Sequence, residues 1–270
     1  RGGNLERAEE LYREALAMDE ENAALYYNLG NVYYDKGSYG EAIAAYENSL
    51  ERGAEDLRVY YNLGNAYYEG GNFDAALDAY RDARGAGEGE GPDGQLTVNT
   101  AKTLRQLDRD QEARELLEGY LSENSGDALG WFHLGNIAYD AGEYEAAASH
   151  FSRAVEQRQG FARAQFNLGN TLYRLGSYRE AAEAFEAYLE DLGYTGLNLS
   201  EVMEFSENFY AIAVEEATGV GAMELLLDKD SGSIVPEYGP NRMWNTRYGM
   251  HGGGMMGWGG RGGNRTDEPM

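Results

Sequence analysis

The chain has 270 residues, 42% of them hydrophobic, enough to build a core and too many for a wholly disordered polypeptide. A net charge of −25 opposes nucleic acid and anionic membrane surfaces and suits a neutral or basic partner. No cysteine is present, which excludes disulfides, thiolate catalysis and cysteine zinc sites, and no apolar run approaches the roughly 20 residues of a membrane helix.

Taken in chain order, residues 1–22 hold the second half of a repeating unit, with Ala8 and Tyr12 at helical spacing; its front half is expected upstream of Arg1. A first landmark then appears at Tyr26-Tyr27-Asn28-Leu29-Gly30-Asn31. It recurs at Tyr60-Tyr61-Asn62-Leu63-Gly64-Asn65, at Trp131-Phe132-His133-Leu134-Gly135-Asn136 and at Gln165-Phe166-Asn167-Leu168-Gly169-Asn170. Gly30 and Gly64 are 34 residues apart, as are Gly135 and Gly169. The interval between Gly64 and Gly135 is two periods plus three residues, and a degenerate unit with Thr97, Thr100, Ala101 and Leu104 at the matching places fills it.

A second landmark follows each first one: Ala42 and Tyr46, Ala76 and Tyr80, Ala113 and Leu117, Ala147 and Phe151, Ala181 and Phe185. Small and bulky residues four apart predict two antiparallel helices in close contact. Gly37, Gly71, Gly142 and Gly176 fall between the landmarks, where a left-handed residue closes the first helix; the degenerate unit has Asp108 and Asp110 there, so a looser turn is expected. The boundaries are a half repeat at 1–22 and repeats at 23–56, 57–93, 94–127, 128–161 and 162–192. The Gly/Glu-rich run Gly85–Gly94 holds the three-residue insertion; its acidic residues would repel phosphate, and it reads as a flexible loop.

Beyond the repeats, residues 193–235 read as a capping helix and linker. Asn198 and Glu201 suggest a capping box, and Val202, Phe205, Phe209 and Ile212 an apolar stripe. Asp228-x-Asp230-x-Gly232 lacks the remaining ligands of a calcium loop and reads as a solvated turn. Residues 236–270 form a Gly/Met-rich tail, for which disorder is the plain expectation. Its Met250, His251, Met255 and Met256 also have the thioether and imidazole chemistry that suits Cu(I). No other cofactor is implied. The tail is similar to Gly/Met/His-rich tails of bacterial cell-envelope proteins associated with copper, and that resemblance points to the periplasm or envelope.

The recurring Trp/Tyr-x-x-Leu-Gly-x-x-Tyr followed by Ala-x-x-x-Phe/Tyr resembles the tetratricopeptide repeat family over residues 1 to 192. The family's terminal proline is absent: none of Pro92, Pro236, Pro240 and Pro269 stands at its place. The resemblance implies an all-α fold, a right-handed superhelical solenoid with a concave groove lined by the first helix of each pair. It also implies that residues beside the Leu-Gly pair face that groove. Before the leucine these are Asn28, Asn62, Asn99, His133 and Asn167; after the glycine, or Ala101, they are Asn31, Asn65, Lys102, Asn136 and Asn170. Asparagine offers a donor and an acceptor, so the ladder can pair with the backbone of an extended peptide or cross-link neighbouring helices; both readings stand at this point. Tyr27, Tyr61, Phe132 and Phe166 add aromatic surface, as do Tyr34, Tyr68, Tyr139 and Tyr173. Lys102, Arg105 and Arg174 are too sparse for a basic clamp on a carboxylate, and Asp35, Glu69 and Asp140 oppose an acidic tail.

No catalytic constellation appears: the histidines are His133, His150 and His251, and neither a Ser-His-Asp nor a His-x-x-x-His pattern is found. The expectation is an interaction scaffold that binds a protein or extended peptide and is not an enzyme. The alternatives are a copper-handling accessory protein and the repeat portion of a larger enzyme.

Overall fold

The structure is a computed structural model that describes residues 2–87, 94–193, 195–204, 208–218, 221–228 and 234–237. It divides into two compact units, residues 1–159 and 160–270.

The first unit is helical. It contains α1 (Gly2–Met18), α2 (Ala23–Asp35), α3 (Tyr39–Glu51), α4 (Leu57–Glu69), α5 (Phe73–Ala86), α6 (Gly94–Gln106), α7 (Asp110–Glu123), α8 (Ala128–Asp140) and α9 (Tyr144–Gln157). α1 is the lone second helix of the half repeat, and the others form pairs. Side-chain caps start the first helices: Asn22 accepts from the Leu25 amide, Asp56 from Arg58, and Asp127 from Leu129 and Gly130. Pairing depends on the Leu-Gly step. A Cβ at Gly30 would lie 2.6 Å from the Tyr46 ring, at Gly64 2.5 Å from Tyr80, and at Gly135 2.6 Å from Phe151. The aromatic ring therefore rests directly on the backbone of its partner helix, and these three rings are at most 2% exposed. The degenerate unit reaches the same density another way. Ala101 replaces the glycine, the smaller Leu117 replaces the ring, and both are fully buried.

Gly37, Gly71 and Gly142 close their first helices with φ of 76°, 78° and 76°. In the first of these turns the Ser38 amide donates to the Tyr33 carbonyl and the Gly37 amide to Tyr34, both at 2.9 Å. The degenerate unit corrects the expectation of a looser turn. Asp108 takes the left-handed conformation itself, at φ 55°, and the Arg109 amide reaches the Leu104 carbonyl at the same 2.9 Å. Aspartate is among the residues that tolerate this region, so the turn keeps its hydrogen bonds without glycine.

The second unit contains α10 (Ala162–Arg174), α11 (Tyr178–Asp191) and four strands: β1 (Leu197–Glu204), β2 (Asn208–Glu215), β3 (Gly221–Asp228) and β4 (Ile234–Glu237). The strands form an antiparallel meander in the order β1-β2-β3-β4. This overturns the capping helix expected within residues 193–235. The apolar residues there do recur at three and four, but 209–214 is a continuous Phe-Tyr-Ala-Ile-Ala-Val run, rich in aromatic and β-branched residues, that suits a strand packed on one face. Phe209, Ala211 and Ala213 are buried, whereas Tyr210, Ile212 and Val214, on the alternate face, are only partly so. Asn198 and Glu201 lie in β1 and form no capping box. The buried face packs on the helix pair, with Phe209 5.4 Å from the Phe185 ring and 5.1 Å from Tyr173. The Leu199 amide donates to Glu186 Oε1 of α11. β4 begins at Ile234, so Pro236 and Glu237 belong to the sheet rather than to the tail. Phe205, Asp230, Gly232 and the candidate copper ligands Met250, His251, Met255 and Met256 lie outside the described residues.

Candidate peptide-binding groove

Two rungs of asparagine are visible in the first unit. Asn31 Oδ1 accepts from the Tyr46 hydroxyl of its own repeat at 2.8 Å and from Asn62 Nδ2 of the next at 2.9 Å; Asn62 Nδ2 also donates to the Tyr27 hydroxyl at 3.1 Å. One repeat along, Asn65 Oδ1 accepts from the Tyr80 hydroxyl at 2.7 Å and from Asn99 Nδ2 at 2.9 Å, and Asn99 donates to the Tyr61 hydroxyl at 3.0 Å. Each rung thus ties α2 to α4, or α4 to α6, through one carbonyl oxygen that also receives a buried tyrosine proton. Burial holds the Tyr46 and Tyr80 hydroxyls well above the usual phenol range, so both remain donors. The cross-linking role of these asparagines is therefore real.

Cross-linking uses only part of their capacity. Among the described residues, Nδ2 of Asn31 and of Asn65, Oδ1 of Asn62 and the hydroxyls of Tyr34 and Tyr68 have no protein partner. They open into two adjoining pockets of about 310 and 260 Å³. The first is lined by Asn31, Tyr34, Asp35, Tyr46, Asn62 and Asn65; the second shares Tyr34 and Asn65 and adds Tyr61, Tyr68, Glu69, Tyr80, Asn99 and Lys102. Tyr34 and Tyr68 are braced edge-on by Tyr39 and Phe73, at 5.6 and 5.3 Å. Burial first, then Glu69, nearby tyrosines and Asp35, raise the Tyr34 hydroxyl above its ordinary value.

The third rung changes chemistry. Lys102 stands where Asn31 and Asn65 stand, and its Nζ lies 4.9 Å from the centre of the Tyr68 ring. His133 takes the place of Asn62 and Asn99. Burial, then Lys102 and Arg105, push its imidazole down to about 4, so it is neutral at physiological pH. Arg105 is paired with Asp110 and Asp140.

The other predicted positions divide. Asn28 is half-buried on α2, at the end of the ladder. Asn136 belongs to the first unit, and Asn167 and Asn170 to the second. Phe132 and Phe166 are not groove surface: they are 9% and 4% exposed and pack on Phe151 and Phe185, because the ring at this place leans onto its own second helix. Asn170 is 6% exposed, and its Oδ1 is buried with no hydrogen-bond partner, for Phe185 lacks the hydroxyl that Tyr46 supplies to Asn31. Sequence reasoning missed the hydroxyls of Tyr46 and Tyr80. The available signal was Tyr rather than Phe at the second landmark of the two repeats that carry complete asparagine rungs. No group of three potential metal-ligating side chains occurs among the described residues, and no described helix is long and apolar enough to cross a membrane.

No curated protein sequence matches the chain. Among solved structures it is similar to YrrB, described as a TPR protein with an unusual peptide-binding site, at 24% identity and a TM-score of 0.51 over 68% of this chain and 93% of that one. It is similar to MamA at 21% identity and a TM-score of 0.55, over 64% and 93%. The likeness to Pseudomonas aeruginosa pilF is 20% identity with a TM-score of 0.57, over 70% and 85%. At these identities the likeness concerns the fold. The tetratricopeptide repeat family model matches residues 1–56, 30–94, 61–128 and 132–193, in register with the Leu-Gly landmarks and the ring-on-backbone contacts, and the chain belongs to the tetratricopeptide repeat family.

Proposed function

We propose that the first unit is a protein-binding module that holds an extended segment of another protein along the pockets of α2, α4 and α6. The observation that carries this reading is the set of unused donors and acceptors on asparagines whose positions the rungs already fix. A side chain immobilised by a neighbouring repeat loses little further entropy when a ligand arrives. Amide donors, an amide acceptor and two braced tyrosines suit the backbone and flat side chains of a peptide rather than a compact metabolite. Asp35 and Glu69 have no ion-pair partner among the described residues, and with the net charge of −25 they favour a neutral or basic segment. The likeness to YrrB, whose description includes a peptide-binding site, supports the reading at the level of fold. The proposed role is that of a scaffold; burial and nearby cations lower the imidazoles of His133 and His150, the described histidines.

The test is selection of peptides from a random display library on the full chain, followed by affinity measurement. Selected peptides are expected to lose at least tenfold in affinity to Tyr34→Ala and to Tyr68→Ala, and nothing to Arg81→Ala at an exposed position of α5. Equal affinity for all four proteins would place the binding surface elsewhere.

A further inference from the structure

Tyr34 and Tyr68 occupy the same position of consecutive repeats, and one of them already holds a cation. Each ring is braced edge-on at an interplanar angle of 62°, Tyr34 by Tyr39 and Tyr68 by Phe73. Each is followed in sequence by a carboxylate, Asp35 or Glu69, that lines a pocket with it. At Tyr68 the Lys102 ammonium lies 4.9 Å from the ring centre, in the pocket that Glu69 also lines. The ring face and the carboxylate both attract it. Lys102 belongs to the row of Asn31 and Asn65, so the corresponding place beside Tyr34 is that of Asn65, which carries no charge.

The first pocket thus has the ring, the carboxylate and the amides of the second without its cation. Among the described residues that line it, Asp35 is the only charged one. It is also the larger of the two, about 310 against 260 Å³. Burial raises the Tyr34 hydroxyl, and Glu69 and Asp35 raise it further, so the ring is a neutral phenol in a negative field. We propose, on the groove reading above, that the first pocket seats one basic side chain of the partner segment, a Lys or Arg against the Tyr34 ring beside Asp35, and that Lys102 fills the equivalent seat at Tyr68 from within the chain. Asn62 enters the rung through Nδ2 alone, which leaves its Oδ1 in the same pocket as an acceptor for the incoming N–H donors. Lys102 is then a specificity-determining residue. A second basic side chain would have to displace an ammonium tethered to α6 and meet its charge, so the groove takes a single cation.

The experiment uses the full chain and peptides selected on it from a random display library, restricted to those that Tyr34→Ala weakens at least tenfold. These peptides are expected to share one aligned Lys or Arg. Replacing that residue by norleucine or glutamine is expected to cost at least tenfold in affinity for the wild-type chain, and less than about threefold for Asp35→Asn, where the seat has lost its carboxylate. A second selection on Lys102→Asn, which restores the asparagine of the row, is expected to yield peptides with two basic residues that bind the variant at least tenfold tighter than the wild type. Arg81→Asn removes the same charge at an exposed position of α5 and is expected to leave those affinities unchanged. Tyr34-dependent peptides without a shared basic residue, or with an undiminished norleucine loss in Asp35→Asn, overturn the cation seat and leave the groove in place. No gain in Lys102→Asn, or an equal gain in Arg81→Asn, overturns the role of Lys102. Absence of any Tyr34-dependent peptide overturns the groove reading and the seat with it.

Discussion

Replacing Asn65 by alanine is the sharpest probe of the rung. The side-chain oxygen that is lost serves two donors, the Tyr80 hydroxyl at 2.7 Å and Asn99 Nδ2 at 2.9 Å. Tyr80 is 2% exposed, and a buried hydroxyl left without an acceptor costs about 1–3 kcal/mol. Asn99 keeps the Tyr61 hydroxyl at 3.0 Å and faces the groove, so its loss is nearer 0.5–1 kcal/mol. The single variant is therefore expected to lose about 2–4 kcal/mol. Tyr80→Phe removes the orphaned donor and imitates the natural Phe151. In the double variant no hydroxyl is stranded, and the two changes should fall short of additivity by about 1–2 kcal/mol. Urea unfolding of the four proteins, compared at equal m-values, measures the cycle. Strict additivity, or a loss below about 0.5 kcal/mol in Asn65→Ala, would refute the claim that the rung couples neighbouring repeats.

Gly64→Ala places a methyl 2.5 Å from the Tyr80 ring and should cost about 1–3 kcal/mol in the same assay; adding Tyr80→Leu, the combination already present as Ala101 with Leu117, should recover part of it. Asp108→Gly removes the left-handed penalty at φ 55° and should raise stability by about 1 kcal/mol. Phe185→Tyr offers a hydroxyl to the buried Asn170 oxygen and should stabilise the second unit by about 1 kcal/mol, seen as slower amide exchange in α10 and α11. His133 has its imidazole at about 4 when folded and 6.5 when free, so the unfolded chain takes up the proton first as pH falls. Its contribution is complete above pH 6.5 and is lost towards pH 4, by about 3 kcal/mol at most, and His133→Asn should flatten that part of a thermal melting profile.

The helical fold was legible because two residues per repeat carry it: a glycine that no side chain can replace without meeting a ring, and the ring itself. Even the degenerate unit declared its place, since Ala101 and Leu117 exchange the same volume across the same contact. The sheet was not legible. Val202, Phe209 and Ile212 satisfy a helical count, and only the packing of β2 on Tyr173 and Phe185, distant in sequence, decides that Phe209 turns inward and Ile212 does not. The asparagine ladder was visible as a row, but not its chemistry. Whether Asn31 and Asn65 serve a ligand or a neighbouring helix depends on a tyrosine proton 15 residues later in each case, and the structure has them cross-link with their oxygens while their nitrogens remain available.

The meander also bears on assembly. Stacked repeats grow by laying the next first helix against the last pair, and any exposed pair invites another copy of the same chain to do this, head to tail, without limit. In the second unit that face is taken by Phe209, seated between Tyr173 and Phe185, and by the strands that carry it. The sheet thus stands where a further first helix would stack, and the apolar surface that one more repeat would have covered is covered by β-structure instead.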